Sequence, residues 1–223
     1  MKYKAVFLDF YGTLVHEDDI AIENITRKMS ECSMLQNPPK EIATYWWTEF
    51  RRLFESSCGK NFQTQRKLES ISIQRTLEHF KCGNTDFDIE ETLFSHWIKP
   101  KIFDDTMQFL SLNVLPVCIV SNIDRDDILR AVHFHRMNFT GIITSEDAKA
   151  YKPRREIFEM ALAKMNVLPR EALHVGDSLS SDVYGARNCG IDTFWLNRSK
   201  RAAPDDAAMF SGGTLTDVLK ILQ

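Results

Sequence analysis

Seven residues of this chain have the types and spacing to act together as chemistry. Asp9 and Thr13 lie four apart, Ser121 and Asn122 are adjacent, Lys152 precedes Pro153, and Asp177 sits between Gly176 and Ser178 with Asp182 five positions on. A carboxylate can serve as a nucleophile that divides one hard displacement into two easier ones, or as a hard oxygen donor to a small divalent cation. Hydroxyls, an ammonium and main-chain N–H groups suit developing charge on anionic oxygens, in a reaction run by positioning and electrostatics. Each residue also has an ordinary reading. Aspartates at strand–helix junctions cap helices, Ser-Asn pairs make turns, and most lysines are solvated.

What separates these readings is where the residues fall along the chain. Lys4–Phe10 reads as a short apolar strand ending in the turn Tyr11-Gly12-Thr13. Residues 16–99 carry no convincing strand and read as helices. Ile22, Ile25, Met29 and Cys32 recur at helical spacing, as do Ile42, Trp46, Phe50 and Leu53, then Ile73, Leu77 and Phe80, then Ile89, Leu93 and Trp97. Asn37-Pro38-Pro39 and Pro100 break the pattern. Beyond it the chain alternates. Helices are expected over 103–112, 126–134, 155–165 (with Ile157, Met160, Ala161 and Met165 on one side), 182–188 and 215–222. Strands are expected over 115–120, 141–144, 173–175 and 193–196. Apolar strands alternating with helices predict a doubly wound parallel sheet covered on both faces. The expected organisation is an α/β core from residues 1–15 and 100–223, interrupted after its first strand by an all-helical insertion over 16–99.

Open parallel sheets bind ligands beyond the carboxyl ends of their strands. Asp9 and Thr13 follow the first strand, Ser121 and Asn122 the second, a loop with Lys149 and Lys152 the third, and Asp177 and Asp182 the fourth. A functional residue type at every strand end is not ordinary.

Composition narrows the classes further. The chain has 223 residues, 43% hydrophobic and 26% charged, with a formal net charge of −3. That argues against disorder and against a general polyanion binder. No apolar run approaches the ~18 residues needed to cross a bilayer; the run near Val114–Val120 contains Pro116. Cys32, Cys58, Cys82, Cys118 and Cys189 are scattered, odd in number and without a CxxC pair, so reduced thiols in a cytoplasmic protein are expected. His133 and His135 lie two apart, a spacing a helix does not present to one ion. His174 falls within a strand, and all six histidines read as structural or surface residues.

Asp9-Phe10-Tyr11-Gly12-Thr13-Leu14, Ser121-Asn122, Lys152-Pro153 and Gly176-Asp177-Ser178 with Asp182 resemble the four ordered motifs of the haloacid dehalogenase-like hydrolase superfamily. The helical insertion resembles the α-helical cap of its dehalogenase-like and phosphoglycolate-phosphatase-like branch. The resemblance covers essentially the whole chain. It implies Asp9 as nucleophile, Lys152 as its cationic partner and a phosphate ligand, and Thr13, Ser121 and the main-chain N–H of Asn122 as donors to the transferring oxygens. It further implies Mg²⁺ held by Asp9, the main-chain carbonyl of Tyr11 and Asp177, with Asp182 orienting a metal-bound water or Lys152. The implied substrate is a small phosphorylated metabolite, with neither nucleic acid nor membrane as partner. A homodimer is compatible with the sequence and not derivable from it.

The sequence departs from that pattern at Tyr11, where phosphatases of the superfamily carry a second aspartate that protonates the leaving oxygen. A phenol with an ordinary pKa near 10 is a reluctant base at neutral pH. Tyrosine here resembles the 2-haloacid dehalogenases, whose halide leaves unprotonated. The acidic Gly-Asp-Ser motif points back to a cation, and so to a phosphatase. A weakly active or non-catalytic protein that keeps the fold is a third reading. In the insertion, Trp46, Trp47, Arg51, Arg52 and Gly59-Lys60 are candidate substrate contacts, although Trp46 also fits an apolar core face. A receiver domain needs an acidic pair after the first strand, and a dinucleotide-binding fold needs a GxGxxG there; neither is present.

Overall fold

Strand β1 (Ala5–Leu8) is followed by five helices before a second strand appears: α1 (Asp19–Cys32), α2 (Pro39–Ser56), α3 (Gln65–His79), α4 (Ile89–Ile98) and α5 (Thr106–Leu112). Then come β2 (Val117–Ser121), α6 (Arg125–Phe134), β3 (Gly141–Thr144), α7 (Ser145–Ala148), α8 (Arg155–Met165) and β4 (Ala172–Gly176). A π turn (Leu179–Tyr184), α9 (Gly185–Arg187), β5 (Asp192–Leu196), β6 (Phe210–Gly212) and α10 (Leu215–Leu222) complete the chain. This computed structural model describes residues 2–83, 87–202 and 208–222.

The strands form one parallel sheet in the order β3-β2-β1-β4-β5-β6, with helices on both sides. Every residue of β1, β2 and β4 is buried, which explains why these strands are continuously apolar rather than alternating. Phe7, Cys118, Val120, Ile143, Phe158 and Ala161 belong to one packed core cluster. Because β1 lies between β2 and β4, its carboxyl end is flanked by the ends of both neighbours.

The chain divides into two compact units, Met1–Glu17 with Lys101–Asn122 and His135–Gln223, and Asp18–Pro100 with Ile123–Phe134. The second unit is wholly helical among its described residues. It buries Ile25 and Met29 of α1, Ile42, Trp46 and Phe50 of α2, Leu68 and Ile73 of α3, and Ile89, Leu93 and Trp97 of α4. Pro39 opens α2, where its missing N–H costs nothing. The start of α3 is capped from α6's own segment: Asp124 accepts from the N–H groups of Gln65 (2.7 Å) and Arg66 (2.9 Å), and the Arg66 guanidinium makes two bonds to Asp127 (2.8 and 2.5 Å).

Four expectations change. Helix α5 begins at Thr106 rather than Phe103, because residues 102–103 are held by the loop after β1. Val15 bridges Ile102, and Phe103 N–H donates to the Leu14 carbonyl at 3.1 Å. The buried stripe of α8 runs through Ile157, Phe158 and Ala161, leaving Met160 38% exposed. The helix expected over 182–188 begins as the π turn, for a reason given below. Strand β6 has no apolar run to announce it. No helix among the described residues is long and apolar enough to cross a membrane, and all five cysteines are free thiols.

Candidate active site

Asp9 follows β1 and is buried. Its main-chain N–H donates to the Val175 carbonyl of β4 at 3.0 Å, so the strand pairing itself fixes its position. The next residues turn sharply. Gly12 has φ +84°, and a Cβ there would lie 2.7 Å from an Asp177 carboxylate oxygen. Gly12 therefore serves both the left-handed backbone and the close approach of Asp177. Thr13 is buried, and its hydroxyl lies 3.4 Å from Asp9 Oδ2, a long contact. The Thr13 carbonyl is held by Arg198 (2.8 Å), whose guanidinium also makes two bonds to Asp105 at 3.0 and 2.9 Å.

Ser121 is the buried last residue of β2. The Asn122 side chain accepts from the Lys152 N–H at 2.6 Å and donates to the Lys152 carbonyl at 3.1 Å. Asn122 thus clamps the main chain of Lys152, a role the sequence did not suggest. Lys152 itself is 2% exposed, and its ammonium donates to Asp9 Oδ1 (2.7 Å) and Asp182 Oδ1 (2.6 Å). Lys149, the competing lysine, is exposed.

Asp182 shapes the turn that carries it. Its Oδ2 accepts from the Ser178 N–H at 3.1 Å while its Oδ1 reaches Lys152. Folding this carboxylate back widens the turn, and the Ser178 carbonyl accepts from both Asp182 and Val183 N–H groups (3.0 and 3.1 Å). Wide turns of this kind recur at functional sites. Gly176 leaves the necessary room, since a Cβ there would lie 2.2 Å from Asp182 Cγ. His174 Nε2 is 3.0 Å from Asp182 Oδ1 and is fully buried. The sequence reading took this histidine as purely structural; it is part of the charged network. The signal that could have found it is its i, i+2 relation to Gly176, which places both on one face of β4.

Asp9, Asp177 and Asp182 each offer an oxygen within 4.8 Å of the others. One buried ammonium faces three carboxylates, with the more exposed Arg201 guanidinium 3.7 Å from Asp177. Burial raises the Asp9 pKa above the ordinary carboxylate value, Lys152 opposes the rise, and the Asp182 charge adds to it. Burial also disfavours the Lys152 ammonium, but Asp182 and Asp9 outweigh it and hold the lysine charged. Asp177 is pushed up to about 8, by burial first and then by the charges of Asp182 and Asp9. Crowded acids short of positive charge, all offering hard oxygens, fit a divalent cation. Asp182 is committed to Lys152, His174 and Ser178, which leaves Asp9 and Asp177 as the better placed ligands.

Trp46, one candidate contact in the insertion, is core. It is 4% exposed and its indole N–H lies 3.0 Å from both Glu69 and Ser72. Trp47 is exposed, and Arg51 and Arg52 pair with Glu55 and Glu49 on their own helix. The structure thus brings the strand-end residues together but does not distinguish these helical positions as a site.

A family model for haloacid dehalogenase-like hydrolases matches residues 3–190. The chain belongs to that family. This haloacid dehalogenase-like hydrolase is 36% identical over 86 residues to a glyceraldehyde 3-phosphate phosphatase of Pyrococcus furiosus, a match covering 38% of this chain and 36% of the relative. The first three curated relatives it matches are spanned over 36%, 58% and 26% of their lengths, less than two thirds of each. Among solved structures, an HAD phosphatase from Thermococcus onnurineus superposes with TM-score 0.70 at 25% identity, covering 98% of this chain and 97% of that one. The L-2-haloacid dehalogenase of Xanthobacter autotrophicus superposes with TM-score 0.76 at 18% identity, covering 99% and 98%, a likeness of fold.

Proposed function

We propose that this hydrolase is a Mg²⁺-dependent phosphatase of small phosphorylated metabolites, working through an aspartyl-phosphate on Asp9. The observation that carries the reading is the acidic trio: a third carboxylate, Asp177, stands beside Asp9 and Asp182 where one buried lysine supplies positive charge, and the half-exposed Arg201 guanidinium reaches Asp177 only at 3.7 Å. Carbon–halogen hydrolysis has no need of that carboxylate, and without a cation it repels the nucleophile. The relatives named as phosphatases agree in direction.

Asp9, Asp177 and the Tyr11 carbonyl would hold the ion, which supplies charge to offset these acids and to polarise phosphoryl oxygens. Asp9 Oδ2, which has only the long 3.4 Å contact from Thr13, is the nucleophilic oxygen, since Oδ1 is taken by Lys152. Lys152, Thr13, Ser121 and the Asn122 N–H orient the transferring oxygens. Asp182 keeps Lys152 on Asp9. On this reading the helical insertion is the counterpart of the family's cap. Free thiols fit a reducing compartment such as the cytoplasm.

Tyr11 favours a second reading, 2-haloacid dehalogenation, because it removes the acid that would protonate a leaving oxygen. On the phosphatase reading the same residue favours leaving groups that depart without a proton, such as aryl and acyl phosphates. The test is a phosphate-release screen with and without Mg²⁺, run beside halide release from 2-haloacids. Mg²⁺-dependent phosphate release that falls by about 10⁴-fold or more in Asp9→Asn is expected. Metal-independent halide release would overturn the reading, and full activity in Asp9→Asn would overturn the nucleophile.

A further inference from the structure

Asp182 Oδ1 accepts from Lys152 at 2.6 Å and faces His174 Nε2 at 3.0 Å, while Oδ2 accepts from the Ser178 N–H. The imidazole is fully buried, with its ring edge-on to Phe158 at 5.3 Å. Its Nδ1 has no hydrogen-bond partner among the described residues. These contacts select one form of the ring. An unprotonated Nε2 would set a lone pair against a carboxylate oxygen. A doubly protonated ring would bury an Nδ1–H with no acceptor, and an orphaned donor on a cation costs more than an orphaned neutral acceptor. The ring is therefore neutral, with its proton on Nε2 and directed at Asp182.

We propose that His174 is a positioning residue for the hydrolytic site. Its Nε2–H holds Asp182 in the rotamer that keeps Lys152 on the nucleophile Asp9. The inference rests on the proposed role of Asp9. Its physical basis is the shape of the β4 end. Residues 174 and 176 lie on the same face of the strand. At 176 the absent Cβ lets the Asp182 carboxylate cross over the strand, and at 174 the imidazole closes the far side of that carboxylate. Without the ring, Asp182 keeps a charge-assisted bond to Lys152 but loses the stop that prevents it swinging toward the cation ligands. The lysine then no longer has a fixed lateral position against Asp9. Outer partners of this kind commonly change activity by about 10–100-fold without touching substrate.

Two experiments test it. Nitrogen NMR of full-length protein labelled at histidine reads the ring directly. One buried imidazole, missing from the His174→Gln spectrum, should be a neutral Nε2–H tautomer with a slowly exchanging proton. An Nδ1–H tautomer or a doubly protonated ring at neutral pH would overturn the proposal. The second compares two buried amides of similar polarity. His174→Gln places its amide donor near the Nε2 position, whereas His174→Asn is too short to reach Asp182. Phosphate release should fall about 10–100-fold in kcat for Asn, with substrate KM within about twofold, and recover most of the way for Gln. A loss carried by KM, a folded Asn variant with unchanged kcat, or a folded Gln variant as poor as Asn would each overturn it. Absence of phosphate release in the unaltered protein would count against the phosphatase reading, and the imidazole spectrum would still decide this one.

Discussion

Asp182 is buried in the α/β unit and Glu69 in the helical unit, and these two acids are treated in opposite ways. Burial alone raises both pKa values. At Asp182 the Lys152 charge and the His174 hydrogen bond more than offset burial, leaving the acid lowered to about 2. At Glu69 burial is joined by the charge of Asp18, and the neutral donors Trp46 and Ser72 oppose it weakly, so the acid rises to about 8. The difference teaches what each position is built to hold. A buried carboxylate with its own cation stays charged and is available to chemistry. One satisfied by an indole and a hydroxyl is best protonated, and serves packing.

The largest expected effect comes from removing the cation. Lys152→Met leaves Asp9 and Asp182 buried without compensation, and breaking such a pair costs about 3–5 kcal/mol. Calorimetry in metal-free buffer should show the melting temperature fall by roughly 6–20 °C for a chain of this length. An unchanged melting temperature would mean that the acids of the α/β unit do not depend on the lysine.

Glu69→Gln tests the other side. A native pKa of about 8 against an unfolded value near 4.5 means the folded state keeps a proton that the unfolded state releases. That contribution to stability is whole below about pH 4.5, falls as pH rises toward 8 and levels off above it. The variant should match the parent near pH 4.5 and exceed it at pH 9 by roughly 5 kcal/mol in denaturant titrations. Parallel pH–stability curves would erase the contrast with Asp182. A smaller effect is expected for Trp46→Phe, which removes one donor from Glu69; about 1–2 kcal/mol should be lost at any pH where Glu69 is charged.

Much of this was readable before any coordinates. Asp9, Lys152, Asp177 and Asp182 fall at strand ends, and apolar strands in a parallel sheet bring those ends together whatever the helices between them do. The roles of Asn122, Arg198 and His174 were not readable. Asn122 and Arg198 reach residues far away in sequence, which no local spacing encodes, and His174 reaches Asp182 eight residues on only because the turn folds the carboxylate back over β4. Gly12 was visible in a turn and Gly176 in a motif, but neither as the space into which Asp177 or Asp182 fits. The π turn was missed for the same reason, because it is bent by the tertiary bonds of Asp182 rather than by local propensity. Strand β6 was missed because three residues, Phe-Ser-Gly, carry no period.

The central place of β1 sets a timetable for synthesis. Its first neighbour, β2, begins at Val117, and its second, β4, at Ala172. At ordinary ribosomal rates the apolar segment Ala-Val-Phe-Leu waits on the order of ten seconds for its first partner. The helices that intervene can fold locally in that interval, whereas Asp9, next to that strand, stays without Lys152 until residue 152 is made and without its acidic companions until the ribosome has passed Asp182. The acidic cluster therefore assembles late, and a nascent chain stalled before that point can carry folded helices while the acidic cluster is incomplete.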